Sequence, residues 1–320
     1  MNEPTDPPLV VIALGGNAIQ RPDGDDSVTS DFRTTRSTAG HLVQLASAGW
    51  RLVVTHGNGP QVGNHLLRSE LGHLHGELPM LPLEVCVADT QGGMGYMLQQ
   101  CLSNAFQDAG IPAIVVSVVT QVLVDGNDPA FEDPSKPVGE IIRSERAELL
   151  RSEGWALAED RTRGGWRRVV PSPDPKEIVE GEAVRTLVDD GAIVIAAGGG
   201  GVPVAQTAAG DLRGVPAVVD KDLASALLAV DLNADALLIL TDVEQVALGF
   251  GTPIERRLER MSVDQARAHL AAGEFPAGSM GPKVEALCRF ATATQRAGVV
   301  TSIERALDGL EGRAGTMIAP

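Results

Sequence analysis

Short, unbroken runs of Val, Ile and Leu recur along this chain, and most of them stop at glycine or at a small polar residue. The runs at 9–14, 51–55, 114–119 continuing into 121–124, 192–197, 236–240 and 299–303 read as strands buried on both faces. A last short strand is expected after Gly315-Thr316. Between them, helical spacing of apolar positions predicts helices over 35–47 (closed by Gly49), 85–109, 177–189, from about 223, and over 285–294. Residues 21–30 read as a polar loop and 205–216 as a hairpin. Strands alternating with helices of this length predict a doubly wound α/β fold around a mainly parallel sheet.

The strand ends carry the first chemical signal. The first runs into Gly15-Gly16-Asn17-Ala18, the second into His56-Gly57-Asn58-Gly59-Pro60, and the 192–197 run into four glycines, Gly198 to Gly201. If these strands are parallel neighbours, their carboxyl ends converge. Successive backbone amides there can hold an anion, and Asn17 and Asn58 add amide donors. Gly15, Gly16, Asn17, Gly57, Asn58, Gly199 and Gly200 are therefore candidate anion-binding positions. Taken alone, the four-glycine run could equally be a flexible loop, because it matches no single phosphate-binding fingerprint.

Three lysines stand at constrained positions. Lys136 lies between Ser135 and Pro137, Lys221 between Asp220 and Asp222, and Lys283 after the glycine- and proline-containing loop 275–282. Asp222 reads as the N-cap of the helix expected from about Leu223, with a plain surface turn as the alternative. His56 is expected to be a structural hydrogen-bonding residue. His73 and His75 have no third ligand nearby, so no metal site is expected. Gly92, Gly93 and Gly95 sit inside a helical pattern at a cost of roughly 1 kcal/mol each, which close packing, including a subunit contact, would offset.

From residue 125 to about 175 the character changes. Prolines bound the segment, two of the chain's three tryptophans fall in it, and Arg143, Arg146, Arg151, Arg161, Arg163, Arg167 and Arg168 are mixed with acids. This is expected to be an inserted subdomain whose charges form a solvated surface.

Composition narrows the function. A net charge of -16 excludes general nucleic-acid binding and adhesion to an anionic membrane, so any anion must be held by a local site. With aromatics at 3%, the core must be aliphatic. Cys86, Cys101 and Cys288 form no CxxC pair and are expected as buried, reduced residues, which fits the cytoplasm. Residues 1–8 read as a disordered leader without signal-peptide character, and no run reaches membrane-spanning length. There is no nucleophile elbow for acyl chemistry, and the first strand lacks the dinucleotide fingerprint of an oxidoreductase. Glycine turns, amides and lysines without a placed general base suit phosphoryl transfer, which is mainly positioning and charge neutralisation.

Seven segments together resemble the carbamate kinases of the amino acid kinase superfamily: Ala13-Leu-Gly-Gly-Asn-Ala18, Thr55-His-Gly-Asn-Gly-Pro-Gln-Val-Gly63, Pro134-Ser-Lys-Pro-Val-Gly139, Ala197-Gly-Gly-Gly-Gly-Val-Pro203, Val219-Asp-Lys-Asp222, Leu240-Thr-Asp-Val243 and Gly278-Ser-Met-Gly-Pro-Lys283. The resemblance implies a three-layer αβα sandwich with a small protruding subdomain. It divides the chain into a carbamate or carbamoyl phosphate lobe (9–210, carrying the insertion) and a nucleotide lobe (211–320). It implies reversible phosphoryl transfer between ATP and carbamate, making ATP from carbamoyl phosphate and ADP with Mg2+, in arginine or related nitrogen catabolism. Gly15, Gly16, Asn17, Gly57 and Asn58 would bind the carbamate side, with Lys136 closing over it. Lys221 and Lys283 would neutralise the transferring group, oriented by Asp222. Thr241, Asp242, Val243 and Met280 would join Lys283 at the nucleotide. The metal would be held largely by phosphate oxygens. A homodimer is implied as well. Another small-anion kinase of the superfamily, acting on an acylamino acid or a phosphonate, and a non-catalytic regulator that keeps the fold, are the alternatives.

Overall fold

The computed structural model describes residues 7–20, 27–152, 155–160, 164–276 and 278–320. Most of the expected leader, residues 21–26 of the polar loop, and Arg161 and Arg163 lie outside these. In chain order the first half comprises β1 (Leu9–Leu14), α1 (Val28–Ser47), β2 (Arg51–His56), α2 (Gly59–Gly76), α3 (Leu83–Asp108), β3 (Val115–Ser117) and β4 (Gln121–Val124). The next stretch holds β5 (Lys136–Ile142), α4 (Ser144–Ser152), β6 (Leu157–Asp160), β7 (Gly165–Val170), β8 (Pro175–Ile178) and α5 (Gly181–Asp189). It continues with β9 (Ile193–Ile195), β10 (Val202–Gln206), β11 (Leu212–Gly214), α6 (Lys221–Asp231) and β12 (Ala236–Thr241). Last come β13 (Val246–Leu248), β14 (Arg256–Leu258), β15 (Arg260–Ser262), α7 (Val263–Ala271), α8 (Met280–Thr294), β16 (Gly298–Ser302), α9 (Ala306–Leu310) and β17 (Thr316–Ala319).

Eight strands form the central sheet in the order β15-β17-β16-β12-β1-β2-β9-β3. The six strands from β16 to β3 are mutually parallel; β17 runs antiparallel to β16. Along β1 the side chains alternate between two cores. Leu9, Val11 and Ala13 pack with residues of α6 and α8, while Val10, Ile12 and Leu14 pack with α1 and α3. Unbroken apolar runs are the sequence signature of a sheet covered on both faces, and the fold is the three-layer sandwich expected. The cysteines are buried as small apolar residues, and burial pushes the Cys288 thiol up to about 11.

The structure corrects several boundaries. Helix α5 begins at Gly181, because residues 175–178 form β8 against β4, with Pro175 and Ile178 buried, Lys176 and Glu177 exposed, and a register shift between Leu123 and Val124 that breaks strict alternation. Helix α1 starts at Val28, where Ser27 accepts a hydrogen bond from the amide of Ser30 at 3.2 Å; the buried Thr34, Thr35 and Thr38 of its early turns hide the helical signal. The 114–124 run is two strands in two sheets. Thr120 turns between them, clamped by Gln91, whose Oε1 accepts from Thr120 N at 2.8 Å and whose Nε2 donates to Thr120 O at 3.0 Å.

The segment after residue 125 carries its own three-stranded sheet, β5-β7-β6, antiparallel throughout. Several of its arginines make specific contacts within the fold. Arg168 stacks 4.0 Å from the Trp155 ring centre and bonds Glu70 of α2 at 2.7 Å, Arg151 lies 3.7 Å over Trp166, and Arg167 donates to Gly139 O at 2.8 Å. Arg143 and Arg146 are exposed, as expected. The sheet leans on α2 through backbone. A Cβ on Gly63 would lie 2.1 Å from Gly139 Cα, so this contact admits no side chain, and Gly139 itself has φ +71°.

Candidate active site

Four neighbouring parallel strands, β12, β1, β2 and β9, end along the same edge of the sheet. The turns leaving them are stitched together by backbone bonds. Gly15 N–H donates to Leu240 O at 2.9 Å and Gly57 N–H to Leu14 O at 3.3 Å. Gly15 must be glycine, since a Cβ there would stand 2.8 Å from Leu240 O. Gly16 and Asn17 are exposed on a short turn beyond it, and Gly57 is half-buried.

Helix α6 delivers the charged centre. Its N-cap is Asp220, two residues before the residue the sequence suggested. Asp220 Oδ1 accepts from the amides of Asp222 (2.9 Å) and Leu223 (3.4 Å), so the helix starts at Lys221 and Asp222 lies in its first turn. That rotation turns Asp222 inward, where it is 2% exposed. Its two oxygens take two ammonium groups, Lys221 Nζ at 2.5 Å and Lys283 Nζ, from the first turn of α8, at 3.1 Å. Lys136, from the first position of β5, bonds Oδ2 of Asp220. Three lysines from three segments thus meet two carboxylates at one helix start, its cap and its first turn, leaving a single excess positive charge.

The electrostatics follow from burial. Burial works against the Asp222 carboxylate, but Lys221 and Lys283 outweigh it and hold the group down at about 2. Burial pulls Lys221 down, with Lys283 adding to the effect and Asp222 opposing it. For Lys283 the attraction of Asp222 overcomes burial and the net direction is up, with Asp220 and Asp242 contributing. Lys221 also runs alongside Gly57: a Cβ there would lie 3.2 Å from Lys221 Cδ.

The glycine run has a steric reason that its sequence does not show. Gly198 to Gly201 are buried, and each one's missing side chain is taken by protein atoms. A Cβ would meet His56 Nε2 at 2.3 Å from Gly198, Asn58 Nδ2 at 2.1 Å from Gly199, Val219 O at 2.3 Å from Gly200 and Val122 Cγ2 at 2.1 Å from Gly201. The last three have positive φ, and the preceding Ala197 is left-handed at φ +48°, its amide tied to Thr120 Oγ1 at 3.0 Å. Asn58 is buried too and gives its side-chain amide to Thr90 Oγ1 at 2.9 Å. Gly199, Gly200 and Asn58 therefore form the packed wall behind Gly57. His56 is structural, as expected: its Nδ1 stands 3.1 Å from Gly57 O, and burial, helped by Lys221, lowers it to about 4.

On the other side of Gly15, Thr241 and the exposed Asp242 leave β12, with Thr241 Oγ1 donating to Asp242 Oδ1 at 3.0 Å. Val243 and Met280 are half-buried there, Met280 at the start of α8 one turn from Lys283. Sequence reasoning passed over Asp220, although an Asp followed by free amides two and three residues on is the capping signal that identifies it. It also passed over Ser225, whose hydroxyl accepts or donates at 2.6 Å with Thr55 and bonds Lys221 O at 2.5 Å, tying α6 to β2.

The family model described as amino acid kinase family matches residues 8–302. A carbamate kinase of Pyrococcus horikoshii is 47% identical over 98% of this chain and 100% of its own length. A carbamate kinase-like protein of Escherichia coli is 44% identical over 97% of this chain and 98% of its own. Among solved structures, carbamate kinase from Giardia lamblia bound to AMP-PNP superposes with a TM-score of 0.89 at 42% identity, covering 98% of both chains.

Proposed function

The chain belongs to the amino acid kinase family, and we propose that it is a carbamate kinase, moving a phosphoryl group reversibly between ATP and carbamate. The observation that carries this is the cluster of Lys136, Lys221 and Lys283 on Asp220 and Asp222, set where the strand-end turns open. In the ATP-forming direction a terminal oxygen of ADP attacks the phosphorus of carbamoyl phosphate, the bond from phosphorus to the carbamoyl oxygen breaks, and carbamate leaves as an anion. No proton has to be removed from the nucleophile, which matches a site whose buried ionisable groups are lysines paired with carboxylates.

In this reading the turns at Gly15, Gly16 and Asn17, and at Gly57 backed by Asn58, Gly199 and Gly200, receive the carbamoyl end, with Lys136 over it. Lys221 and Lys283 neutralise the transferring group, and Asp222 fixes both. Thr241, Asp242, Val243 and Met280 border the nucleotide, so that the 9–210 and 211–320 regions act as the two substrate lobes. Mg2+ enters with ATP or ADP, held by phosphate oxygens. Among the described residues no three His, Cys, Asp or Glu side chains are grouped to hold a metal.

The reading extends to a homodimer. Gly95 packs within the chain, a Cβ there falling 2.1 Å from Ser117 Oγ, but Gly92 and Gly93 are exposed beside Tyr96, with Val119 and Ile114 also exposed along the edge formed by β3. A second copy would cover that face. No helix is long and apolar enough to cross a membrane among the described residues. We place the enzyme in the cytoplasm, in arginine or related nitrogen breakdown.

The deciding test is ATP formation from ADP, Mg2+ and carbamoyl phosphate, with acetyl phosphate and N-acetylglutamyl phosphate as competing donors. Rapid ATP from carbamoyl phosphate alone is expected. Turnover with another donor and silence with carbamoyl phosphate would keep the kinase fold and overturn the substrate.

A further inference from the structure

Lys136 is the residue through which the inserted segment reaches the charged centre, and it is held by the carboxylate that starts α6. Asp220 is 7% exposed and divides its two oxygens between two tasks. Oδ1 caps the helix through the amides of Asp222 and Leu223, and Oδ2 takes the Lys136 ammonium. Among the described residues this is the one ion pair between the segment 125–175 and α6. The segment's other anchors hold it to α2 and α8. Arg168 pairs with Glu70 and Gly139 lies against Gly63, both on α2, and Asp174 at the end of the segment pairs with Arg289 of α8 at 2.5 Å. Those contacts fix the small sheet on its neighbour without fixing where the Lys136 side chain ends.

We propose that Asp220 is a positioning residue that holds the Lys136 ammonium beside the Lys221–Asp222–Lys283 cluster, so that one carboxylate sets both the start of α6 and the placement of the inserted segment's lysine. The functional half of this rests on the phosphoryl-transfer reading above; the structural half does not. Because Lys221 and Asp222 follow Asp220 directly, any movement of the cap displaces Lys221 and Lys136 together. Such an arrangement makes the approach of the segment and the geometry of the helix start a single event rather than two.

The two tasks can be separated by chemistry. Asn is as good an N-cap as Asp, so Asp220→Asn keeps an oxygen for the helix amides, but it places either a neutral oxygen or an NH2 group before Lys136. Reaction with sulfosuccinimidyl acetate, read at the Lys136 peptide by mass spectrometry, reports the pairing without reference to any substrate. Acylation of Lys136 is expected to be at least about fivefold faster in Asp220→Asn, in proportion to the loss of a charge-assisted hydrogen bond. The melting temperature should stay within about 2 °C, as the cap is kept. For catalysis, KM for carbamoyl phosphate should rise about tenfold in Asp220→Asn with a smaller fall in kcat, and adding Asp220→Asn to Lys136→Ala should cost less than about twofold more.

Equal acylation rates in the two proteins would overturn the anchor. Faster acylation combined with fully multiplicative kinetic losses in the double variant would overturn the positioning role, because Asp220 would then act without Lys136. If the wild-type protein makes no ATP from carbamoyl phosphate, the substrate reading falls, and the acylation rates still decide whether Asp220 holds Lys136.

Discussion

Replacing Asp222 by Asn removes the carboxylate shared by two buried ammonium groups while keeping the size of the side chain. The cost can be worked from the site. Asp222 is held at about 2 against an ordinary 3.8, a depression worth about 2–3 kcal/mol at neutral pH. A depressed carboxylate contributes its full stability above 3.8 and loses it as the pH falls towards 2, so at pH 7.5 the whole amount is at stake. With an unfolding entropy of roughly 2.1 cal/mol/K per residue over a chain of 320 residues, that corresponds to a fall in melting temperature of about 4 °C. The catalytic loss should be larger, because the negative charge is gone and one of the two oxygens that fix Lys221 and Lys283 at 2.5 and 3.1 Å becomes an NH2 group facing an ammonium. A drop in kcat of about 10²- to 10³-fold is expected, the range for removing one preorganised electrostatic element. Calorimetry at pH 7.5 and steady-state ATP formation measure the two effects on the same preparation. A melting temperature within about 1 °C of wild type together with turnover within about threefold would refute the assignment of Asp222 as the organiser of the two lysines.

Further outcomes follow from the same geometry. Lys221→Ala should lower kcat by about 10²- to 10³-fold, with near-wild-type turnover removing Lys221 from the mechanism. His56 is held at about 4, below its ordinary 6.5, so its contribution is complete above 6.5 and drains away as the pH falls towards 4. Urea unfolding between pH 7 and pH 4.5 should therefore show a steep acid loss, up to about 3 kcal/mol from this group, that is flattened in His56→Gln; an unchanged slope would place the acid sensitivity elsewhere. Gly63→Ala should be destabilising by about 1–3 kcal/mol and should raise KM for carbamoyl phosphate, because the new methyl meets backbone of Gly139 rather than a yielding side chain. A gain in stability, as helix propensity alone would give, would show that the small sheet moves away freely.

The sequence by itself determined the layers and the edge on which the site stands. Runs such as Leu9–Leu14 leave no polar position for water on either face, so a covered parallel sheet follows, and the glycines after β1, β2 and β9 mark the carboxyl ends. The motif order was enough for the family, and Lys136, Lys221, Asp222 and Lys283 were all legible as residues of interest. What only the tertiary structure decided was the division of labour among them. Strand order makes β12, β1, β2 and β9 neighbours, and that is a matter of long-range pairing that no local pattern encodes. Asp220 and Asp222 look alike in the sequence. A shift of two residues in the helix start makes one a cap and clamp and buries the other between two lysines. The glycines of 198–201 likewise look like a cradle for a ligand, yet their neighbours are His56, Asn58, Val219 and Val122, from segments far apart in the chain. Steric demand at a glycine is set by whatever packs against it, and that partner exists only once the chain has folded.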